Sequence, residues 1–153
     1  MKIADFIGEV TEYDKKERLE ERKPKSWLKS VSAFANGVGG ALIFGVADDD
    51  TLVGLANARA DSEKISETIK ARIDPVPEVI LSIHAEESKQ FIVLQIKRGN
   101  ETPYYYVGDG SMTAYIRIGN ESVPANAAVL RRLVLHGSGK HYGALPSRYK
   151  IED

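Results

Sequence analysis

A chain of 153 residues makes one domain, long enough to bury roughly 68–70% of the surface its unfolded form exposes. At 42% hydrophobic and 28% charged residues it is too apolar for a disordered segment. Its 21 basic and 22 acidic side chains exclude bulk attraction to a polyanion, so any such site must be a local patch. Cysteine is absent, which excludes disulfides, thiolate catalysis and cysteine-bound metals. No apolar run approaches membrane-spanning length and no apolar leader opens the sequence, so we expect a cytoplasmic protein without a membrane partner.

In chain order, Glu9–Tyr13 reads as a short strand. The stretch Asp14–Lys25 then carries six basic and four acidic side chains, the pattern of a solvated turn or loop laced with weak ion pairs. Pro24 and Ser26 mark a helix start. Trp27, Leu28, Val31, Phe34, Ala35 and Val38 follow at helical spacing, so that helix buries a face. Ala41–Val46 is a buried strand, and Asp48–Asp50 a hairpin turn into Leu52–Leu55. A second helix is expected over Ser62–Ile73, with Ser62 as its cap and Asp74-Pro75 as its end. Strands follow at Val79–His84, Gln90–Lys97, Tyr104–Val107 and Thr113–Ile118, and a third helix over Pro124–Leu135 stops at Gly137. This order predicts an α+β domain, a mixed or antiparallel sheet packed by three helices, over residues 1–136. Residues 137–153 form a C-terminal tail.

Asn36-Gly37-Val38-Gly39-Gly40 invites a nucleotide-binding reading, but the order of elements opposes it. Phosphate-cradling loops run from strand to helix, where free amides and the positive end of the helix dipole meet the anion. Here the glycines follow a helix and precede a strand, and neither GxxxxGK[ST] nor GxGxxG is present. They read as a helix stop and sharp turn, with Asn36 hydrogen-bonding that turn, and conventional ATP binding is not expected.

Ala33-Phe34-Ala35-Asn36, Gly39-Gly40, Ile43-Phe44-Gly45-Val46, the acidic turn, Val53-Gly54-Leu55, Asp74-Pro75, Pro103-Tyr104 and Tyr115–Gly119 run in a fixed order. Together they resemble the Schlafen-type Alba-like domain, also described as a divergent AAA-associated DNA-binding domain, over about residues 5–135. In bacteria the resemblance implies the N-terminal part of a transcriptional regulator, usually followed by further domains, to which residues 137–153 would lead. It also implies a three-carboxylate RNA-cleaving site. Glu9 and Asp14 fit the opening of that pattern, with Lys15 where the family has an aromatic residue and Asp14 where it has a Glu. The third acid maps to Asp48, with Asp49 as the competing choice.

Three carboxylates suit Mg²⁺ or Mn²⁺, hard cations held by oxygen ligands at about 2.0–2.6 Å. On an uninterrupted strand Glu9 and Asp14 point to opposite faces, so a bulge or strand end must intervene to bring them together. For nucleic-acid backbone contacts the candidates are Lys15, Lys16, Arg18, Arg22, Lys23, Lys25 and Arg117. Glu17, Glu20 and Glu21 oppose that patch. Arg117 lies between Ile116 and Ile118, so alternation turns it away from the core, toward either a partner or a structural ion pair. Tyr104–Tyr106 are either a base-stacking surface or ordinary strand residues with one face buried. His84 reads as structural or exposed, and His136 and His141 lack persuasive metal spacing. With these residues, the resemblance implies a module that binds DNA or RNA, with two alternatives: a metal-dependent endoribonuclease, or an interaction domain that forms a homo-oligomer.

Overall fold

The computed structural model describes the backbone of residues 12–144 and the side chains of residues 12–137. The first strand, β1 (Tyr13–Lys16), is followed by α1 (Lys25–Asn36), β2 (Gly40–Phe44) and α2 (Ala58–Arg72). Next come the short β3 (Ile73–Asp74), β4 (Val79–Glu86) and β5 (Lys89–Ile96). The chain then forms β6 (Tyr105–Gly108), β7 (Ser111–Ile118), β8 (Glu121–Pro124) and α3 (Ala127–Ala144). This is the expected α+β architecture with three helices, but its strands divide into two sheets of four, ordered β1-β2-β5-β4 and β3-β6-β7-β8. The first sheet is mixed, because β1 runs parallel to β2, and the second is antiparallel.

The apolar run Ala41–Phe44 has no polar alternation because both faces of β2 are buried. Leu42 and Phe44 join Ile92, Leu94 and Ile96 of β5 beneath the helices, while Ala41 and Ile43 pack with Phe91 and Val93 on the opposite face. Trp27 meets Phe44 edge-on, with ring centroids 5.9 Å apart. Ile65 and Ile69 bring α2 into the same core. The glycine segment is a helix stop, as its composition predicts. The Gly39 amide donates to the Phe34 carbonyl at 2.9 Å, and Gly39 has a φ of +86°. At Gly40 a Cβ would lie 2.6 Å from the Phe34 ring.

Helix α1 is buried on nearly every side, and its polar residues serve the second sheet. The ladder between β6 and β7 reaches Tyr105↔Ala114, and the next pair would be Tyr104 and Tyr115. Ser32 and Asn36 enter at that place. The Ser32 hydroxyl accepts from the Tyr115 amide at 3.0 Å and donates to the Tyr104 carbonyl at 2.8 Å. Asn36 accepts from the Tyr104 amide at 2.7 Å and donates to the Tyr104 and Tyr115 carbonyls at 3.0 and 2.9 Å. Two helix side chains thus supply what a strand neighbour otherwise would. Asn36 does not bond the following turn, as its position at the helix end predicts; it reaches backward to the other sheet.

Other boundaries also differ from expectation. Tyr13 is in a strand as expected, but Asp14–Lys16 continue that strand and are not a solvated turn, because Tyr13–Lys16 pair with Ala41–Phe44; Glu9 and the start of the predicted strand lie outside the described residues. Leu52–Leu55 forms only one bridge, Val46↔Leu52, with Val53 and Gly54 bonding the Gly45 carbonyl instead. Helix α2 begins at Ala58, where the Asn57 side chain accepts from the Ala60 amide, and Ser62 is interior. Pro124 belongs to β8, and Asn126 caps α3 through the Val129 amide. Gly137 does not stop α3. It lets the helix pass so close to Thr102 that a Cβ would sit 2.1 Å from the Thr102 carbonyl oxygen, while Thr102 Oγ1 donates to the Leu133 carbonyl.

Asn36→Ala removes three hydrogen bonds to part-buried main chain, so it should destabilise the fold by about 2–3 kcal/mol in urea unfolding. A change below about 0.5 kcal/mol would show that the contact carries no weight.

Candidate functional site

Strand β1 and the turn after β2 meet at an open cavity of about 550 Å³, lined by Glu12, Tyr13, Asp14, Lys15, Asp48, Arg117, Gly119 and Asn120. Asp14 and Asp48 therefore share one cavity, together with Glu12, which sequence reasoning did not single out. The cavity is not simply acidic. Asp14 Oδ2 accepts from Ser30 Oγ at 3.4 Å and lies 3.7 Å from Arg117 and 3.9 Å from Lys16. Lys15 crosses to the turn, where it pairs with the Asp50 carboxylate and donates to the Asp48 carbonyl at 3.0 Å. The Asp50 hydrogen bond holds the Lys15 pKa above its ordinary value. Asp49 points elsewhere: its carboxylate accepts from the Thr51 hydroxyl at 2.7 Å and the Thr51 amide at 3.1 Å, and these bonds hold its pKa below the usual carboxylate value.

Arg117 is turned inward, with its side chain only 9% exposed. Its guanidinium lies 5.0 Å over the Phe34 ring and donates to Ser122 Oγ at 2.9 Å. Of the two alternatives left open by strand alternation, the geometry matches the structural ion pair. Among the described residues no three His, Asp or Glu side chains gather closely enough to hold a metal ion. Cations already lie beside Asp14, and Glu9, the third candidate ligand, lies outside the described residues.

A second depression has the opposite character. The turn before α1, the first turns of α1 and the end of α2 enclose an open groove of about 560 Å³. Arg22, Lys23, Lys25, Lys29 and Arg72 line it, with Glu21, Asp109 and Tyr106. Glu21 is held by Lys64 at 2.8 Å, which draws one of the two acids away. Burial is the main cause that raises the Tyr106 hydroxyl above its ordinary pKa, with Asp109 adding to it.

The sequence-derived cations thus separate into two groups. Lys15, Lys16 and Arg117 are engaged by acids around the first cavity, and Arg18 pairs with Glu20 at 3.5 Å. Arg22, Lys23 and Lys25 line the groove without a salt bridge among the described residues, and the fold adds Lys29 and Arg72 to them. Lys29 lies one turn beyond Lys25 on α1, a spacing visible in the sequence, whereas Arg72 arrives only through the packing of α2. The tyrosine run does not form a stacking platform: Tyr104 and Tyr106 are buried and only Tyr105 is partly open. His84 bonds Ser82 within β4, and His136 is exposed on α3.

The sequence profile of the Schlafen, AlbA_2 family matches residues 9–126. The chain belongs to this family. No functionally curated protein matches it significantly. Among solved structures, the Schlafen, AlbA_2 domain is similar to the DIP2311 protein of Corynebacterium diphtheriae, with a TM-score of 0.56 and 19% identity. That match covers 80% of this chain but only 23% of the other, so the chain spans about a quarter of that protein. It is also similar to the N-terminal domain of a RecG-related protein from Nitrosomonas europaea, named for its relation to an ATP-dependent DNA helicase. There the TM-score is 0.52, the identity 20%, and the match covers 80% of this chain and 90% of that domain. At these identities the two structures establish a shared fold. No helix among the described residues is long and apolar enough to cross a membrane.

The depressed Asp49 pKa stabilises the 47–51 turn above the ordinary carboxylate range, and that contribution is lost as pH falls through the lowered value. Thr51→Ala should raise the Asp49 titration midpoint in a carboxyl-detected NMR titration. An unchanged midpoint would contradict the assigned hydrogen bonds.

Proposed function

We propose that this domain binds nucleic acid through the groove at the start of α1, as the DNA-binding module of a transcriptional regulator. The observation that carries this reading is the set of five cations, Arg22, Lys23, Lys25, Lys29 and Arg72, left without salt bridges among the described residues of a protein whose net charge is −1. Elsewhere on the molecule Lys15, Lys16, Arg18 and Arg117 have acidic partners; here the positive charge faces solvent. Such a cluster holds phosphates by charge and is blind to sequence. Sequence preference would then come from other surfaces or from further domains beyond residues 137–153. The family and the helicase-related name of the Nitrosomonas protein support a nucleic-acid role.

Combined replacement of Arg22, Lys23 and Lys25 by Ala should weaken binding of duplex DNA or RNA about 10- to 100-fold. It should also flatten the dependence of log affinity on log salt by about 2 to 3 units. Lys15→Ala, which removes a cation already paired with Asp50, should change affinity far less. If the wild-type chain binds neither polymer at low salt and instead forms a defined oligomer, the interaction-domain reading replaces this one.

The nuclease reading rests on Glu9, Asp14 and Asp48 and has one observation in its favour, the shared cavity of the two aspartates. The cations beside Asp14 weigh against it. We expect no RNA cleavage with Mn²⁺ or Mg²⁺. Metal-dependent cleavage that Asp48→Ala abolishes would reverse this conclusion.

A further inference from the structure

The two sheets have four edge strands between them, and three of these are protected. β1 has four residues and carries Lys15 and Lys16, β3 has two and runs into Pro75, and β8 has four and ends at Pro124. Short length, lysine and proline are the usual devices that keep an open edge from pairing with another chain. β4 has none of them. It runs for eight residues, Val79–Glu86, in unbroken register with β5, and it holds no Lys, Arg or Pro. None of the described residues pairs with its other side.

The hairpin fixes which backbone groups that open side presents. Glu87 and Ser88 have φ of +53° and +63° and form a two-residue turn between the paired Glu86 and Lys89. Such a turn makes Glu86↔Lys89 a hydrogen-bonded pair, and the pattern then alternates along the ladder. Ile80, Ser82 and His84 therefore bond β5, in phase with the Lys97 amide that donates to the Glu78 carbonyl at 3.0 Å. Val79, Leu81, Ile83 and Ala85 turn their amides and carbonyls outward. The side chains of Val79, Leu81 and Ile83 share the helix-covered face with Ile96, Leu94 and Ile92 of β5. Val79 and Leu81 are partly buried there, whereas Ile83 is 43% exposed, and Ile80 on the other face is 45% exposed.

This edge is complementary to itself. Two antiparallel copies of β4 related by a two-fold axis at Leu81 set Leu81 against Leu81 and Val79 against Ile83. The apolar row of one copy then continues into that of the other. On the opposite face Glu78 of each copy meets His84 of the other. The next register, centred on Ser82, sets Glu78 against Glu86 instead, and like charges directly opposite are unfavourable. Charge and apolar order thus select a second copy over a foreign strand, which would have to bring the same order of residues.

We propose that the chain forms a two-fold dimer by joining β4 to β4, which merges two four-stranded sheets into one of eight strands. The contact shares no residue with the basic groove, so it stands or falls separately from nucleic-acid binding.

Sedimentation equilibrium of the full chain, from micromolar to millimolar concentration, should give a mass that rises toward that of two chains. Over the same range amide exchange should slow at Leu81 and Ile83. At Ser82 and His84, which bond β5 in either state, it should stay constant. Ile83→Lys puts a charge on the open edge at a half-exposed position and should abolish the dimer. His84→Glu sets like charges opposite each other at two cross-strand pairs and should weaken the dimer about 5-fold. Glu78 also pairs with Lys97 of its own sheet at 3.4 Å, so adding Glu78→Lys should recover part of that loss. A chain that stays monomeric at the highest concentration overturns the proposal and leaves the edge to a foreign strand. A dimer that forms unchanged in Ile83→Lys and in His84→Glu overturns it equally, because its contact then lies elsewhere. Should Ile83→Lys fail to fold, the His84 and Glu78 variants, both at accessible positions, decide the matter.

Discussion

Ser32 and Asn36 hold the two halves of this protein together. By inserting between Tyr104 and Tyr115 they end the β6–β7 ladder and take over its hydrogen bonds, so the second sheet is fastened to α1 by main-chain groups it cannot satisfy alone. The apolar residues of α1 fasten the same helix to the first sheet, through Trp27, Leu28, Val31 and Phe34. One helix therefore buries its apolar residues in a core shared by both sheets and adds the Ser32 and Asn36 hydrogen bonds to the second. Its axis is fixed at both ends, and so is everything mounted on it.

That constraint carries through to charge. The C-terminal end of α1 is committed to structure, with Asn36 bonded to the second sheet and Gly39 and Gly40 admitting Phe34 and the turn. Its N-terminal end lies about 16 Å away, at 1.5 Å per residue, and faces outward with Lys25 and Lys29. Arg72 reaches the same groove because α2 ends where β3 joins the second sheet. The result is an electrically balanced chain whose cations are not evenly spent. Those near β1 are paired with acids, and those near the start of α1 are not among the described residues.

Much of this was legible in the sequence. Helix α1, the strand after it and the β4–β5 and β6–β7 hairpins announce themselves through apolar period and turn residues, and the family resemblance rests on the same segments. The missed strand β8 had a signal in Gly119-Asn120, a two-residue turn that closes the hairpin between Ile118 and Glu121. Glycine at 137 was ambiguous, since the same residue that ends a helix also permits a close crossing. Arg117 shows where pattern reasoning fails: its place between Ile116 and Ile118 turns it away from the core by alternation, whereas in the packed fold Ile118 is exposed and Phe34, Ser30 and Asp14 lie on the Arg117 face. For the same reason the seven sequence-derived cations could not be sorted into paired and unpaired before Asp14, Glu20 and Asp50 had positions.

Native-state hydrogen exchange of the Tyr104 and Tyr115 amides tests the central claim most directly. Both donate to side chains of α1 and not to a neighbouring strand, so their protection reports the helix-to-sheet bond itself. If α1 is the common support, these two amides exchange only through global unfolding, as slowly as those of Leu42 and Leu94 in the first sheet. Exchange as fast as at the exposed turn residue Gly110 would mean that the second sheet opens independently and that the helix does not hold the molecule together.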